Sequence, residues 1–110
     1  MLKCNCSRSE YTQKLEYKKY RTEVQKITSV QPLYLLEHFN KRGKSGKVGS
    51  YHLDHILSIS YGFHNKISPD VIGNIRNLRM IPWRVNLEKG EFMEKESWEM
   101  FEYFINEGTL

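Results

Sequence analysis

The chain has 110 residues, of which 39% are hydrophobic and 27% charged, and its net charge is +4. This length suits one domain with a modest core. The apolar runs are too short to cross a bilayer, so no membrane partner is expected. No signal-peptide pattern opens the chain, and we expect a cytoplasmic protein.

The charge is distributed unevenly along the chain. Residues 1–50 contain 11 Lys and Arg against 4 Asp and Glu, whereas residues 51–110 contain 6 against 9. A basic first half suits a polyanionic partner, and an ordinary solvated surface explains it equally well.

Two helices are predicted before residue 40. Residues 10–27 carry apolar side chains at spacings of three and four, which is typical of an amphipathic helix. These side chains are Tyr17, Tyr20, Val24 and Ile27. A shorter helix is predicted from Pro32, which suits a first helical turn, to Phe39.

The next segment, NKRGKSGKVGS, combines three glycines with four cations and predicts an exposed loop. Such a loop either grips phosphates or is simply a solubilising turn. The cations concerned are Lys41, Arg42, Lys44 and Lys47.

Short elements follow, and their residue types predict strand, helix, strand and helix in turn. Their ranges are 51–59, 68–75, 77–82 and 83–89, with Gly90 ending the last. A final amphipathic helix over 94–106 carries several glutamates, so we expect it to pack against the rest of the domain and not to meet a polyanion.

The chemically informative residues lie in this middle region. Asp54 and His55 are adjacent on the first predicted strand, and Asn77, Asn86 and Lys89 follow. Successive strand side chains point to opposite faces. Asp54 and His55 therefore serve a common site only where the strand bends or ends.

These residue types suit hydrolysis of a phosphodiester bond. Histidine is a suitable general base because its ordinary pKa lies near neutrality, which assigns that role to His55. Carboxylate and amide oxygens are ligands for a hard cation such as Mg²⁺, which assigns Asp54 and Asn86 to a metal. Asn77 is the candidate for holding the base in the correct orientation.

The strings YHLDHILS and NLRMIPWRVNLEKG resemble the two halves of the HNH nuclease motif. Asn77 and Asn86 are nine residues apart and Lys89 follows three residues later, as in that motif. The match is closest to the HNN variety of phage intron-homing nicking endonucleases, in which the last metal ligand is Asn. It covers about 40 residues, 51–90.

The resemblance implies an α+β fold, with a small ββα-metal core flanked by N-terminal and C-terminal helices. Residues 1–110 would form one nuclease domain. Within it, residues 1–50 would be a basic helical arm and loop, 51–90 the ββα-metal motif and 91–110 an acidic helix.

The resemblance also implies the activity and the residue roles. The chain would be a metal-dependent DNA endonuclease, typically nicking, with His55 and Asn77 as catalytic residues and Asp54 and Asn86 as ligands of one divalent metal ion, Mg²⁺ or Mn²⁺. DNA would contact Lys89, Arg84 and the four loop cations.

No base-reading motif is present, so strong specificity would need a larger complex or an additional DNA-binding domain. A phage-encoded enzyme would act in the host cytoplasm.

Several readings stay open from the sequence. Structural zinc is not expected, since Pro82 and Val85 stand where many HNH proteins have a cysteine pair; Cys4 and Cys6 are free thiols or part of a zinc site completed elsewhere. His52 is either a partner within the site or a surface residue.

The alternative functions are a non-cutting DNA-binding or phage packaging accessory protein, and a toxin-type nuclease or RNase. We expect Asp54→Ala to abolish activity without disturbing the fold.

Overall fold

The computed structural model describes residues 2–90 and 93–108, with side chains from residue 10 onward. It confirms an α+β fold, in which a two-stranded antiparallel sheet is combined with helices. In chain order the helices and strands are α1 Leu2–Ser29, β1 Tyr51–His55, α2 Ile59–His64, α3 Pro69–Ile72, β2 Leu78–Pro82, α4 Trp83–Lys89 and α5 Lys95–Asn106.

Helix α1 is longer than the predicted range of 10–27. Neither Pro nor Gly occurs within it, so nothing in its backbone chemistry interrupts the helix before Ser29. The predicted apolar stripe faces the core, with Val24 fully buried and Tyr20 half-buried. The side chains of Cys4 and Cys6 lie outside the described part of the chain.

The helix predicted for residues 32–39 is wrong. The chain instead forms two 3-10 turns, Leu33–Leu35 and Phe39–Lys41. Between them His38 adopts a left-handed conformation with φ 67°, which no continuous helix can contain. The glycine-rich segment that follows is an exposed loop, as predicted.

Strand β1 pairs antiparallel with β2, and the register places Asp54 opposite Arg79 and His55 opposite Leu78. The strand predicted to reach residue 59 ends at His55. It ends there because the backbone N–H of Leu57 donates to the side-chain Oδ1 of Asn77 at 2.7 Å, which turns the chain away from the sheet.

The main core lies between α1 and the short helices α2 and α3. Its buried side chains are Val24, Leu57, Ile67, Val71, Ile72 and Phe104. Gly62 lets α2 approach α1 and α3 closely, since a Cβ there would lie 2.6 Å from Cγ1 of Ile72. This core holds α1 across the end of β1.

Helix α4 follows β2 directly, because the ring of Pro82 removes the backbone donor and ends the strand. It packs on both strands and completes the predicted order of strand, strand and helix. Among residues 2–90 and 93–108, no helix combines the length and the apolar character needed to span a membrane.

Candidate active site

One face of β1 meets one face of α4. His52 and Asp54 alternate along the strand and share a face, while Asn86 and Lys89 are three residues apart and share a face of the helix. Nδ2 of Asn86 lies 3.0 Å from Nδ1 of His52, and Nζ of Lys89 lies 2.9 Å from both carboxylate oxygens of Asp54. Both residue pairs therefore make polar contacts that join the helix to the strand.

Asp54 belongs to a network of four charges. Nε of Arg79, opposite it on β2, donates to its Oδ2 at 2.8 Å, and Nη2 of Arg79 donates to Glu94 at 3.2 Å. Asp54 and Lys89 are buried, with only 6% and 1% of their side chains exposed. Two acids and two bases make the formal charge of the network zero.

Lys89 does not occupy the place expected of a phosphate contact. Its ammonium points inward, onto Asp54 and onto the carbonyl oxygen of His55 at 2.8 Å. A buried ammonium requires such pairing, because leaving it unpaired in the interior would be very unfavourable. The assignment of Lys89 to DNA is therefore corrected to a role inside the domain.

His55 points to the other face of β1, towards α1. Its Nε2 lies 3.0 Å from the hydroxyl oxygen of Thr28, and that hydroxyl donates its single proton to the carbonyl oxygen of Val24 at 2.8 Å. The Thr28 oxygen must then accept from the ring, so neutral His55 carries its proton on Nε2. Nδ1 keeps its lone pair and is the atom able to take up a proton.

The electrostatic surroundings of His55 keep the ring neutral. Burial lowers its pKa from 6.5 to about 4; the nearby Asp54 carboxylate opposes that shift and the Lys89 ammonium adds to it. At neutral pH the imidazole is thus available as a base.

A cleft of about 390 Å³ connects the two faces at this end of the sheet. Asp54, His55 and Asn86 all line it, and Arg21 and Tyr17 of α1 form its opposite wall. Residues from both faces of β1 reach one cleft because the strand ends at His55. The structure thus brings together three of the four residues predicted to act at the site.

Asn77, the fourth predicted residue, lies away from this cleft and is fully buried. Its Nδ2 donates to the carbonyl oxygens of Leu57 and Ile72, and its own carbonyl accepts from Ile56. It braces the loop after β1 through these contacts. The expected contact with the His55 ring is wrong, because Thr28 contacts the ring nitrogen in its place.

The donor atoms at the cleft suit a hard cation. Because Nδ2 of Asn86 faces His52, its Oδ1 is the amide atom left for a metal. A carboxylate offers about four lone-pair directions, and three hydrogen bonds already reach Asp54. The residues fit a cation held by two protein oxygens, with water or phosphate completing its shell. No group of three or more His, Cys, Asp or Glu suited to a metal occurs in the described part of the chain.

The other predicted DNA contacts are exposed and lie outside the cleft. Lys41 lies over the ring of Tyr51, 5.7 Å from its centroid, and the Arg84 guanidinium lies 5.4 Å from the centroid of Trp83. The remaining loop cations, Arg42, Lys44 and Lys47, are exposed. Their positions leave them accessible to a polyanion.

Sequence reasoning missed Arg21, which lines the cleft, and Thr28, which contacts the ring of His55. Both belong to α1 and are separated by seven residues, which is two helical turns, so they share a face with Tyr17 and Val24. A polar pair recurring along the apolar stripe was the available signal.

Comparison with protein-family models, with curated proteins and with solved structures finds no match to this chain.

Proposed function

We propose that this protein is a metal-dependent DNA endonuclease that hydrolyses a phosphodiester bond and nicks one strand. The observation that carries the proposal is the cleft shared by His55, Asp54 and Asn86, in which the imidazole is neutral and Thr28 holds its Nε2. A base and two oxygen ligands in one cleft are the parts that such a hydrolysis needs.

His55 acts as the general base in this proposal. Its Nδ1 removes a proton from the attacking water while the Nε2 hydrogen bond to Thr28 holds the ring plane. The scissile phosphate enters on the side of Arg21, which lines the cleft and supplies positive charge there.

Asp54 and Asn86 would hold the divalent cation, Mg²⁺ or Mn²⁺, through Asp54 Oδ1 and Asn86 Oδ1. When bound, the cation supplies charge stabilisation to the leaving 3′ oxygen. The charge of Asp54 is already balanced by Arg79 and Lys89, so cation binding gains from the negative charge that a DNA phosphate brings.

A single cleft of this kind among the described residues favours a single-strand cut. The exposed cations near the loop hold the DNA backbone without reading its sequence. The expected products are a nicked strand with a 5′-phosphate and a 3′-hydroxyl.

The test is conversion of supercoiled plasmid to the nicked circle in Mg²⁺, in Mn²⁺ and in EDTA. The native chain should nick with either metal and stop in EDTA. His55→Ala should reduce the rate by about 10²- to 10⁴-fold, the usual contribution of a general base.

His64→Ala provides the matched control, because His64 is an exposed histidine on α2 that does not line this cleft. It should nick at the native rate. Equal rates for the native chain and His55→Ala would contradict the catalytic assignment. A labelled RNA of the same sequence, tested in parallel, distinguishes a ribonuclease.

A DNA-binding protein that does not cut is the second candidate. The balanced charge of Asp54 favours it, since Lys89 and Arg79 occupy much of the carboxylate's binding capacity. This candidate predicts DNA binding that is unchanged by EDTA, together with no nicking by the native chain at any metal concentration.

A further inference from the structure

A hydrogen bond to His52 fixes the orientation of the Asn86 side chain at the edge of the cleft. We propose that His52 is a positioning residue that holds the Asn86 side-chain amide with its Oδ1 available to a cation. The inference deepens the proposed nuclease function, because it concerns a ligand of the metal assigned there.

The direction of this hydrogen bond follows from the chemistry of its two nitrogens. Nδ2 of Asn86 is a donor only, so Nδ1 of His52, 3.0 Å away, must accept. The neutral His52 ring then carries its proton on Nε2, which lies 3.2 Å from Oγ of Ser45. A chain of hydrogen bonds therefore runs from the basic loop to the cleft, through Ser45, His52 and Asn86.

These hydrogen bonds determine which end of the Asn86 amide faces the cleft. The two ends have nearly the same shape, but the oxygen accepts hydrogen bonds and the nitrogen donates them. Rotation by 180° exchanges Oδ1, which binds a cation, for Nδ2, which cannot. An acceptor placed at Nδ2 makes one orientation more stable than the other. His52 supplies that acceptor, and it lies on the same face of β1 as Asp54, the other proposed ligand.

Two substitutions of His52 separate this role from simple packing. In His52→Asn the side-chain Oδ1 takes the place of the ring Nδ1 and can still accept from Asn86. In His52→Gln the amide reaches the place of Nε2, near Ser45, and the acceptor facing Asn86 is lost. Both variants introduce a neutral amide, so a general loss of the histidine affects them alike.

The first measurement is Mn²⁺ binding without DNA, followed by electron paramagnetic resonance of the free ion. His52→Asn should bind within a few-fold of the native chain. His52→Gln should bind about 10- to 100-fold more weakly, the usual effect of removing a partner that orients a metal ligand.

The second measurement needs no metal. In ¹⁵N–¹H spectra the Asn86 side-chain amide protons should exchange slowly with solvent in the native chain and in His52→Asn, and faster in His52→Gln. Urea unfolding of all three proteins confirms that each is folded during the measurement.

The possible outcomes separate this inference from the proposed function. Native-like Mn²⁺ binding by both variants would overturn the role of His52 and leave the nuclease proposal standing. Failure of the native chain to bind Mn²⁺ at any concentration, both without DNA and with a DNA duplex present, would overturn the metal site and the His52 role together. Weak binding by His52→Gln alone, with faster amide exchange, supports both.

Discussion

The two faces of the five-residue strand β1 have opposite electrostatic surroundings. On one face the buried carboxylate of Asp54 is hydrogen-bonded to two cations, Arg79 and Lys89. On the other face His55 stays neutral, because burial against α1 lowers its pKa to about 4. The strand that separates these environments ends where both open into one cleft.

A small domain can in this way place a charged ligand beside a neutral base. The ion network gains pairing energy only if every charge keeps its partner. The His55 ring is kept neutral by one hydrogen bond, to Thr28, and by burial against α1. Substitutions on the Asp54 face should therefore mainly lower the free energy of unfolding. Substitutions on the His55 face should mainly lower the rate of nicking.

The largest effect is expected from Asp54→Ala. Its removal leaves the buried Lys89 ammonium without its carboxylate, and the free energy of unfolding should fall by about 3–5 kcal/mol in a urea titration. The sequence-based expectation that this substitution spares the fold is thus reversed by the burial of the pair.

The double variant Asp54→Leu with Lys89→Met tests the cause, since it replaces both charges with apolar side chains of similar size. It should recover most of the lost stability without recovering nicking. Equal instability of the single and double variants would mean that the pairing of these charges is not what stabilises this face.

The next effect concerns pH and the His55 face. Because folding lowers the pKa of His55 to about 4, its contribution is fully present above pH 6.5. As pH falls from 6.5 towards 4, the unfolded chain takes up a proton that the folded ring does not. For a half-buried ring the stability lost by pH 4.5 is about 2 kcal/mol.

The measurement compares urea unfolding at pH 7 and pH 4.5 for the native chain, His55→Leu and His64→Leu. Only His55→Leu should lose less stability than the native chain on acidification. If all three lose the same amount, the neutral state of His55 is not what folding favours on this face.

A smaller effect is expected from Thr28→Val, which keeps the shape and removes the hydroxyl. Nε2 of His55 loses its acceptor, at a cost of about 1 kcal/mol, and the nicking rate should fall about tenfold. Thr28→Ser should restore both. Ring ¹⁵N shifts should report Nε2–H in the native chain and in Thr28→Ser, and a tautomer mixture in Thr28→Val; an unchanged spectrum would contradict the Thr28 contact.

The smallest effect is expected from Arg21→Ala, at the wall opposite the two faces. Loss of one phosphate contact should weaken DNA binding a few-fold and reduce the slope of log K against log salt by about 1. Lys19→Ala removes the same charge from a different groove of α1 and should leave the slope nearly unchanged. Equal slopes for both variants would exclude Arg21 from the interface.

Pattern and chemistry in the sequence predicted much of the fold. The helical stripe of α1, the two strands and helix α4 were all predicted, because hydrophobic period and turn residues are local properties. The 3-10 turns before β1 were not, since the left-handed conformation of His38 is not signalled by its residue type. The early end of β1 depended on Asn77, which lies 20 residues away from its partner Leu57.

The order of residues alone establishes which chemical groups this protein has and how they are spaced, with Asp54 next to His55 and Asn86 three residues before Lys89. Which of these groups come into contact depends on the folded chain. Lys89 turned inward because a buried carboxylate needs a cation, and Thr28 reached His55 because packing of α1 placed it there. Such pairings depend on distances between segments far apart in the chain, and local spacing carries no information about them.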